Sequence, residues 1–348
     1  MRVLIGMMHP KHVHMFRHII NYLQNEGHQV KVLAIEKDVT LTLLDKFGID
    51  YIPIGRNPPE IISKAVNALV WDIRTIKIAM EFKPDIYLGQ AFPHFAHARQ
   101  ITGGKYIILE DSEPARIVQS FSFPFADIIL TPSAYRLDHG YKQVKFNGYF
   151  ELMYLHPRYF KPNPGVLKKL DLNKKDKFVI LRFVSWSAVH DIGYQGFTLN
   201  DIRKAVSELE KYARVFITSE RRLPKDLEKY RIRISPENIH HLLYYASLFM
   251  GDSQTMSTES ALLGTPTIRC NSFVGKNDMG NFIELEHRYG LIFNYRNPND
   301  AIEKAVSLLT NSKIKKIWRR KRINLIKNKT DVNRFILSII TKEGVMYE

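Results

Sequence analysis

The sequence holds a single cysteine, Cys270, among 348 residues. One thiol excludes an internal disulfide and a cysteine-based zinc cluster. Long apolar runs are missing too: no stretch approaches the roughly 20 residues that cross a bilayer as a helix. The opening MRVLIGMMHPKH turns polar and histidine-rich too soon for the apolar core of a secretory signal. Acids are scarce, 35 against 51 lysines and arginines, which leaves a net charge of +16. That imbalance favours anionic partners such as nucleotides, nucleic acid or anionic lipid surfaces. No aromatic–glycine RNA-binding motif and no zinc finger is present, so nucleic acid is not the expected partner. A cytoplasmic protein is expected, with peripheral contact at the anionic inner membrane face as a further option.

What is present has a clear rhythm. Residues 2–7, 29–35, 50–54, 85–88, 106–109 and 127–130 are short apolar runs of the kind that form parallel strands. Between them lie helical patterns, such as the face Phe16, Ile19, Ile20 and Leu23 that Gly27 closes. A second alternation follows, with strands expected at 178–183, 214–218, 248–250 and 267–270, and a helix at 281–289 among others. Pro157, Pro162 and Pro164 mark a linker between the two series. The expected organisation is a domain at 1–155, a linker at 156–176, a domain at 177–330, and a tail at 331–348 that packs back on the first domain. The fold class is α/β: two Rossmann-like, doubly wound domains facing each other across a cleft at their C-terminal strand edges.

The most informative stretch is GDSQTMSTESALLGTP, residues 251–266. A buried strand, Leu248 to Met250, runs into a polar turn and then a helix that Gly264 ends. Such a junction aims backbone N–H groups and the positive end of a helix dipole at one point, which suits a phosphate. Ordinary helix capping is the competing explanation: Asp, Ser and Thr are common before a helix, and Ser257 or Thr258 with a nearby acid could supply it. Residues 312–329, SKIKKIWRRKRINLIKNK, read as a basic helix packed through Ile314, Ile317, Trp318 and Leu325; a membrane-surface helix is the alternative.

Three stretches carry a resemblance: LRFVSWSAVHDIG, YLHPRYFKP, and the run from SPENIHHLL through GDSQTMSTESALLGTP to NFIELE. They resemble an uncharacterised, largely archaeal family of predicted GT-B glycosyltransferases. More remotely, element order and the turn resemble MurG-type N-acetylglucosaminyltransferases and non-hydrolysing UDP-N-acetylglucosamine 2-epimerases. The resemblance implies a nucleotide-diphosphate sugar as donor, held mainly by the second domain. Ser253, Gln254 and Thr255 would then meet the phosphates, and Glu259 the ribose hydroxyls. The epimerases have two glycines where this chain has Gln254 and Thr255. By the same likeness Ser185 and Ser187, in a loop with His190 and Asp191, would approach the donor phosphates, and Asp278 and Asn281 the donor sugar. Arg182 and Arg269, at strand ends, would balance diphosphate charge or pair with carboxylates.

On the acceptor side His12 lies 15 residues before Gly27, the spacing of the loop histidine in MurG-type enzymes. That makes it the expected base toward an acceptor hydroxyl, on a lipid-linked acceptor among others. Glu110 and Glu113, after a strand, are the other catalytic candidates, and His9, His14 and His94 are acceptor-side candidates. No carboxylate or cysteine joins the histidines in a ligand set, so no metal and no tightly bound cofactor is expected. The expected reaction is metal-independent transfer of a sugar, an N-acetylhexosamine for instance. A sugar-nucleotide epimerase is the first rival, and a non-catalytic binder of sugar nucleotides or anionic surfaces the second.

Overall fold

The runs RVLIGM, IYLG and KYIIL carry charge only at their first residue, if at all, so both faces of each strand can be buried. A computed structural model, which describes residues 1–56, 61–184, 196–219 and 222–341, arranges them so. The chain divides into two units, Met1–Tyr154 with the segment from Thr330 onward, and Leu155–Lys329.

The first unit alternates β1 (Arg2–Met7), α1 (Pro10–Asn25), β2 (Gln29–Glu36), α2 (Thr40–Lys46), β3 (Ile52–Arg56), α3 (Ile61–Phe82), β4 (Ile86–Gly89), α4 (Pro93–Thr102), β5 (Lys105–Leu109), α5 (Arg116–Ser122), β6 (Ile128–Pro132) and β7 (Gln143–Phe146). A short helix, α6 (Leu152–Leu155), ends the series. All seven strands are parallel, in the order β3-β2-β1-β4-β5-β6-β7. Ile5 of β1 sits opposite Val32 of β2 and Leu88 of β4, so the order reverses on either side of β1. A reversal of this kind leaves an open crevice at the C-terminal ends of the flanking strands.

The second unit contains α7 (Gly165–Lys168), β8 (Phe178–Phe183), α8 (Leu199–Leu209), β9 (Arg214–Ser219), α9 (Ile239–Tyr245), β10 (Leu248–Gly251), α10 (Gln254–Leu263), β11 (Thr267–Cys270), α11 (Gly280–Ile283), β12 (Ile292–Tyr295), α12 (Pro298–Thr310) and α13 (Ile314–Asn328). Its parallel sheet runs β12-β11-β10-β8-β9 and reverses between β8 and β10. Gly251 ends β10 where a Cβ would lie 2.3 Å from the Arg182 carbonyl oxygen, so only glycine lets the two strands close up. The last helix, α14 (Val332–Thr341), belongs to the first unit, where the Asn333 amide donates to the Met153 carbonyl at 2.7 Å.

Two features depart from the sequence reading. The edge strands β7 (QVKF) and β12 (IFNY) were not expected, because polar residues interrupt both and neither reads as an apolar run. The helix expected over 281–289 is split into α11 and a π-helical turn, Glu284–Arg288.

The basic helix α13 packs through Ile314, Trp318 and Leu325, whereas Ile317 is 37% exposed. Three of its cations are engaged with backbone. Lys315 donates to the Tyr245 carbonyl, Arg322 to the Leu262 carbonyl (2.8 Å), and Lys321 to the Gly290 carbonyl (2.6 Å). Tyr245 and Leu262 lie in the last turns of α9 and α10, where carbonyls lack helical partners and the dipole favours cations. Part of the positive charge therefore has a structural task. Among the described residues no helix is long and apolar enough to cross a membrane.

Candidate functional site

In the first unit, the C-terminal ends of β1, β4 and β5 bring together Lys11, His12, Gln90, Glu110 and Asp111, and Glu151 joins them from just before α6. Pro10 begins α1, and the His9 ring caps it by accepting from the Lys11 N–H at 3.1 Å. That start turns Lys11 and His12 toward the strand ends. The Lys11 ammonium bridges Asp111 (2.5 Å) and Glu151 (2.9 Å), all three almost wholly buried. Burial pulls the Lys11 pKa down, but the two carboxylates outweigh it and hold the ammonium well above its ordinary value. Burial also raises the Glu151 carboxyl, against the pull of Lys11.

Gln90 links the remaining groups. Its carbonyl faces His12 Nε2 at 2.7 Å, and its amide donates toward Glu110 (3.4 Å) and Asp111 (3.3 Å). His12 Nδ1 accepts from the Met8 N–H at 3.2 Å, so the ring proton sits on Nε2 and points at Gln90. Burial drives the imidazole down to about 4. The base expected at His12 is therefore a neutral ring with both nitrogens engaged. Glu110 has the opposite character. Burial first, and then the neighbouring Asp111, push its carboxyl up to about 8, although the Asp111 and Ser112 N–H groups donate to it at 3.1 and 2.8 Å. A carboxyl titrating there can exchange a proton near neutral pH.

Other first-unit candidates lie elsewhere. Glu113 accepts from the Arg136 N–H at 3.2 Å and fixes the following loop. His14 is buried against Tyr154 and Phe47, with ring centroids 5.3 and 5.5 Å away. His94 is buried too. It bonds Asp72 at 2.6 Å and packs on Trp71 and Phe92, holding α4 against α3, and burial lowers its pKa.

In the second unit, Asp252 ties three strand ends together. Its N–H donates to the Arg182 carbonyl (3.2 Å), its carboxylate accepts from the Val184 N–H (2.9 Å), and its carbonyl accepts from the Asn271 amide (3.1 Å). Ser253 is the N-cap of α10, its hydroxyl accepting from the Met256 N–H at 3.4 Å. Capping and ligand reading are not exclusive, because one cap leaves the other first-turn N–H groups, those of Gln254 and Thr255, without helical partners. Both of these residues are half-buried.

Glu259, one turn further on, is 4% exposed and pairs with His240 of α9, Nε2 to Oε1 2.9 Å. Asn281 stands at the same end, its amide 3.5 Å from the Thr258 hydroxyl. Asp278 instead takes Arg269 at 2.5 Å, and the guanidinium lies 3.6 Å from the Phe282 ring centroid. Arg269 is fully buried, so of its two expected roles it takes the carboxylate partner, and Asp278 anchors the 271–279 loop. Ser185, Ser187, His190 and Asp191 lie outside the described residues.

Sequence reasoning missed Lys11, Glu151 and His240 as site residues. Glu151 had a usable signal: it is an acid enclosed by Tyr149, Phe150, Leu152 and Met153, a context that implies burial with a partner.

Two Rossmann-like parallel-sheet units with these reversals define the GT-B fold, and solved structures match it end to end. The UDP-GlcNAc 2-epimerase of Neisseria meningitidis, solved with UDP-GlcNAc, has a TM-score of 0.70 at 13% identity over 99% of this chain and all of that one. The glycosyltransferase VinC, in complex with dTDP, has a TM-score of 0.61 at 14% identity over 99% of this chain and all of its own. The chain belongs to the DUF354 family, described as protein of unknown function, whose model matches residues 1–331. An uncharacterised protein of the archaeon Methanocaldococcus jannaschii is 23% identical over 282 residues, covering 77% of this chain and 81% of that protein.

Proposed function

We propose that the chain is a glycosyltransferase that takes a sugar from a nucleotide-diphosphate donor, an N-acetylhexosamine for instance, and passes it to an acceptor hydroxyl. The second unit would hold the donor, with its diphosphate at Ser253, Gln254 and Thr255 and its ribose hydroxyls on Glu259. The observation that carries this reading is the β10–Ser253–α10 junction. It stands at the reversal point of a sheet whose fold is shared with enzymes solved with UDP-GlcNAc and dTDP. Unpartnered N–H groups of a helix start suit a diphosphate there.

In the reaction the acceptor oxygen attacks the anomeric carbon and passes its proton to the Glu110 carboxylate. The bond from that carbon to the diphosphate oxygen breaks, and the nucleoside diphosphate leaves with the electron pair. Helix N–H groups meet the charge that develops on it. His12 acts as a positioning residue, since it fixes the Gln90 amide that faces Glu110. So written, the chemistry uses no tightly bound cofactor or metal.

The test is a thermal-shift screen of the purified chain against nucleoside diphosphates and nucleotide sugars, with Glu259→Ala alongside. A ligand that binds only the folded state raises the melting temperature by mass action. One diphosphate family should stabilise the wild type and lose most of its effect in the variant. If none shifts the wild type at millimolar concentration, the donor site is not there.

A second reading, a sugar-nucleotide 2-epimerase, is favoured by Glu110, because a carboxyl titrating near 8 can serve as acid as well as base. An epimerase changes the configuration of UDP-GlcNAc with no acceptor present, so NMR of that mixture separates the two readings.

A further inference from the structure

Residues 312–329 hold nine lysines and arginines and no acid. Four of the nine have tasks in the fold: Lys315, Lys321 and Arg322 on backbone carbonyls, and Lys329 on Glu284 at 2.9 Å. The other five, Lys313, Lys316, Arg319, Arg320 and Lys327, are exposed. Among the described residues the side chains of Lys316, Arg320 and Lys327 make no ion pair. Positions 316, 320, 323 and 327 recur every three or four residues, so they share one face of α13, away from the buried Trp318 and Leu325. Ile323 stands among the cations there, 55% exposed, and Ile317 at the edge of the face is 37% exposed.

This face works against the helix that carries it. A helix start favours acids, because its N–H groups leave partial positive charge there. Yet α13 has Lys313 as its N-cap residue, Lys315 and Lys316 directly after, and no acid in its first turn. Lys316 and Arg320 lie one turn apart, where like charges repel. A surface built for solubility alone mixes both signs and keeps isoleucine inside. The negative charge that would relieve the repulsion is not in the helix. We propose that this face, Lys316, Arg320, Ile323 and Lys327 with Lys313 and Ile317 at its edges, docks on an anionic lipid surface. Lipid phosphates meet the cations, and the isoleucines sink below phosphate level. The helix has 15 residues, about 22 Å, and lies along the surface. The isoleucines decide for lipid over nucleic acid, because a phosphodiester backbone gives them no apolar partner. Trp318, the one ring on this helix that would stack on bases, is 3% exposed.

The experiment sediments the intact chain with vesicles of phosphatidylcholine, alone or with about 30% phosphatidylglycerol, at about 0.1 and about 0.5 M salt. The wild type should bind the anionic vesicles about a hundredfold more tightly than the neutral ones, and lose most of that preference at the higher salt. Lys316→Gln, Arg320→Gln and Lys327→Gln together should weaken anionic binding about a hundredfold, at about fivefold for each cation. The same charge removed elsewhere in the unit, by Lys174→Gln, Lys175→Gln and Lys177→Gln, should change it by less than about threefold. Ile317→Ser with Ile323→Ser should weaken it about tenfold. Thermal melts check that each variant folds, and the α13 triple should melt at or above the wild type because its repulsion is relieved.

A wild type indifferent to phosphatidylglycerol overturns the inference, as does an α13 triple that binds like the wild type. A control triple that loses as much as the α13 triple overturns it too, since net charge and not this face would then be responsible. A duplex RNA that binds the wild type and the isoleucine variant equally, and more tightly than the vesicles do, assigns the face to nucleic acid instead. None of these results touches the donor site, because the α13 side chains replaced here are no part of it and their variants should bind nucleotide as the wild type does.

Discussion

The imidazole of His12 and the side-chain amide of Gln90 share a hydrogen bond of 2.7 Å, with the Met8 N–H closing the other ring nitrogen at 3.2 Å. This pairing leaves both ring nitrogens of His12 engaged. The ring is held near 4 and bonded at both nitrogens, whereas Glu110 beside it titrates near 8; on the proposed reading the ring orients and the carboxyl moves the proton.

The pH dependence of transfer should follow. A base that must be ionised works above its pKa, so kcat/KM should climb with pH and level off above about 8. Glu110→Gln should lose that limb and about a hundredfold or more in rate. His12→Asn should keep the limb and lower the plateau by about tenfold, through a misplaced Gln90. A limb that vanishes with His12 instead would return the base to the histidine. If Glu110 acts as an acid, as an epimerase could use it, the limb runs the other way.

Stability should respond to the same two groups with opposite sign. Glu110 titrates near 8 when folded against an ordinary 4.5, so between those values the folded state holds more protons and stability falls as pH rises. His12 titrates near 4 against an ordinary 6.5, so between those values stability rises with pH. Urea melts across pH 4 to 9 should show wild type losing ground to Glu110→Gln as pH rises. The slope is at most about 1.4 kcal/mol per pH unit, ending near pH 8. Against His12→Asn the wild type should gain, and only below about pH 6.5. Parallel curves would mean that neither group is shifted.

Lys11 is the only cation within bonding reach of Asp111 and Glu151 among the described contacts. Lys11→Met should cost about 3–5 kcal/mol in denaturant unfolding, the penalty of stranding a buried charge. Adding Glu151→Gln and Asp111→Asn should return much of that loss, because no unpaired charge remains. A single variant as stable as the wild type would show the three groups to be better hydrated than they are here.

Ser253 has two tasks that stability and binding separate. Ser253→Ala should cost about 1 kcal/mol as a lost cap, read by urea titration. It should also weaken the cognate nucleoside diphosphate by about tenfold, a loss measured on folded protein and so independent of the cap. A variant that loses the stability and keeps the affinity would leave Ser253 as a cap alone.

How much of this was legible follows from range. The parallel strands and the β10–α10 junction were readable because local patterns make them: apolar runs, a cap, a closing glycine. Glu110 was readable as an acid after a strand. Its proton affinity was not, since that depends on burial and on Asp111. Lys11 meets Glu151 across 140 positions of sequence, and His240 meets Glu259 only because α9 packs on α10. The surroundings of His94 and His14 were hidden for the same reason: a histidine shows its chemistry in the sequence but not the aromatic neighbours that take it into the core. That Asp278 pairs with Arg269 shows only once β11 and the loop meet.

The contact at Gly251 separates what this site is built on from what it reads. Where β10 meets β8, the spacing is set by one backbone against another, with Asp252 fastening the strand ends. The residues that would touch a ligand, from Gln254 to Glu259, stand on the helix beyond that seam. On the donor-site reading, descendants of this chain could exchange one nucleotide or sugar for another by substitutions within the first two turns of one helix, while the seam beneath passes unchanged from one specificity to the next.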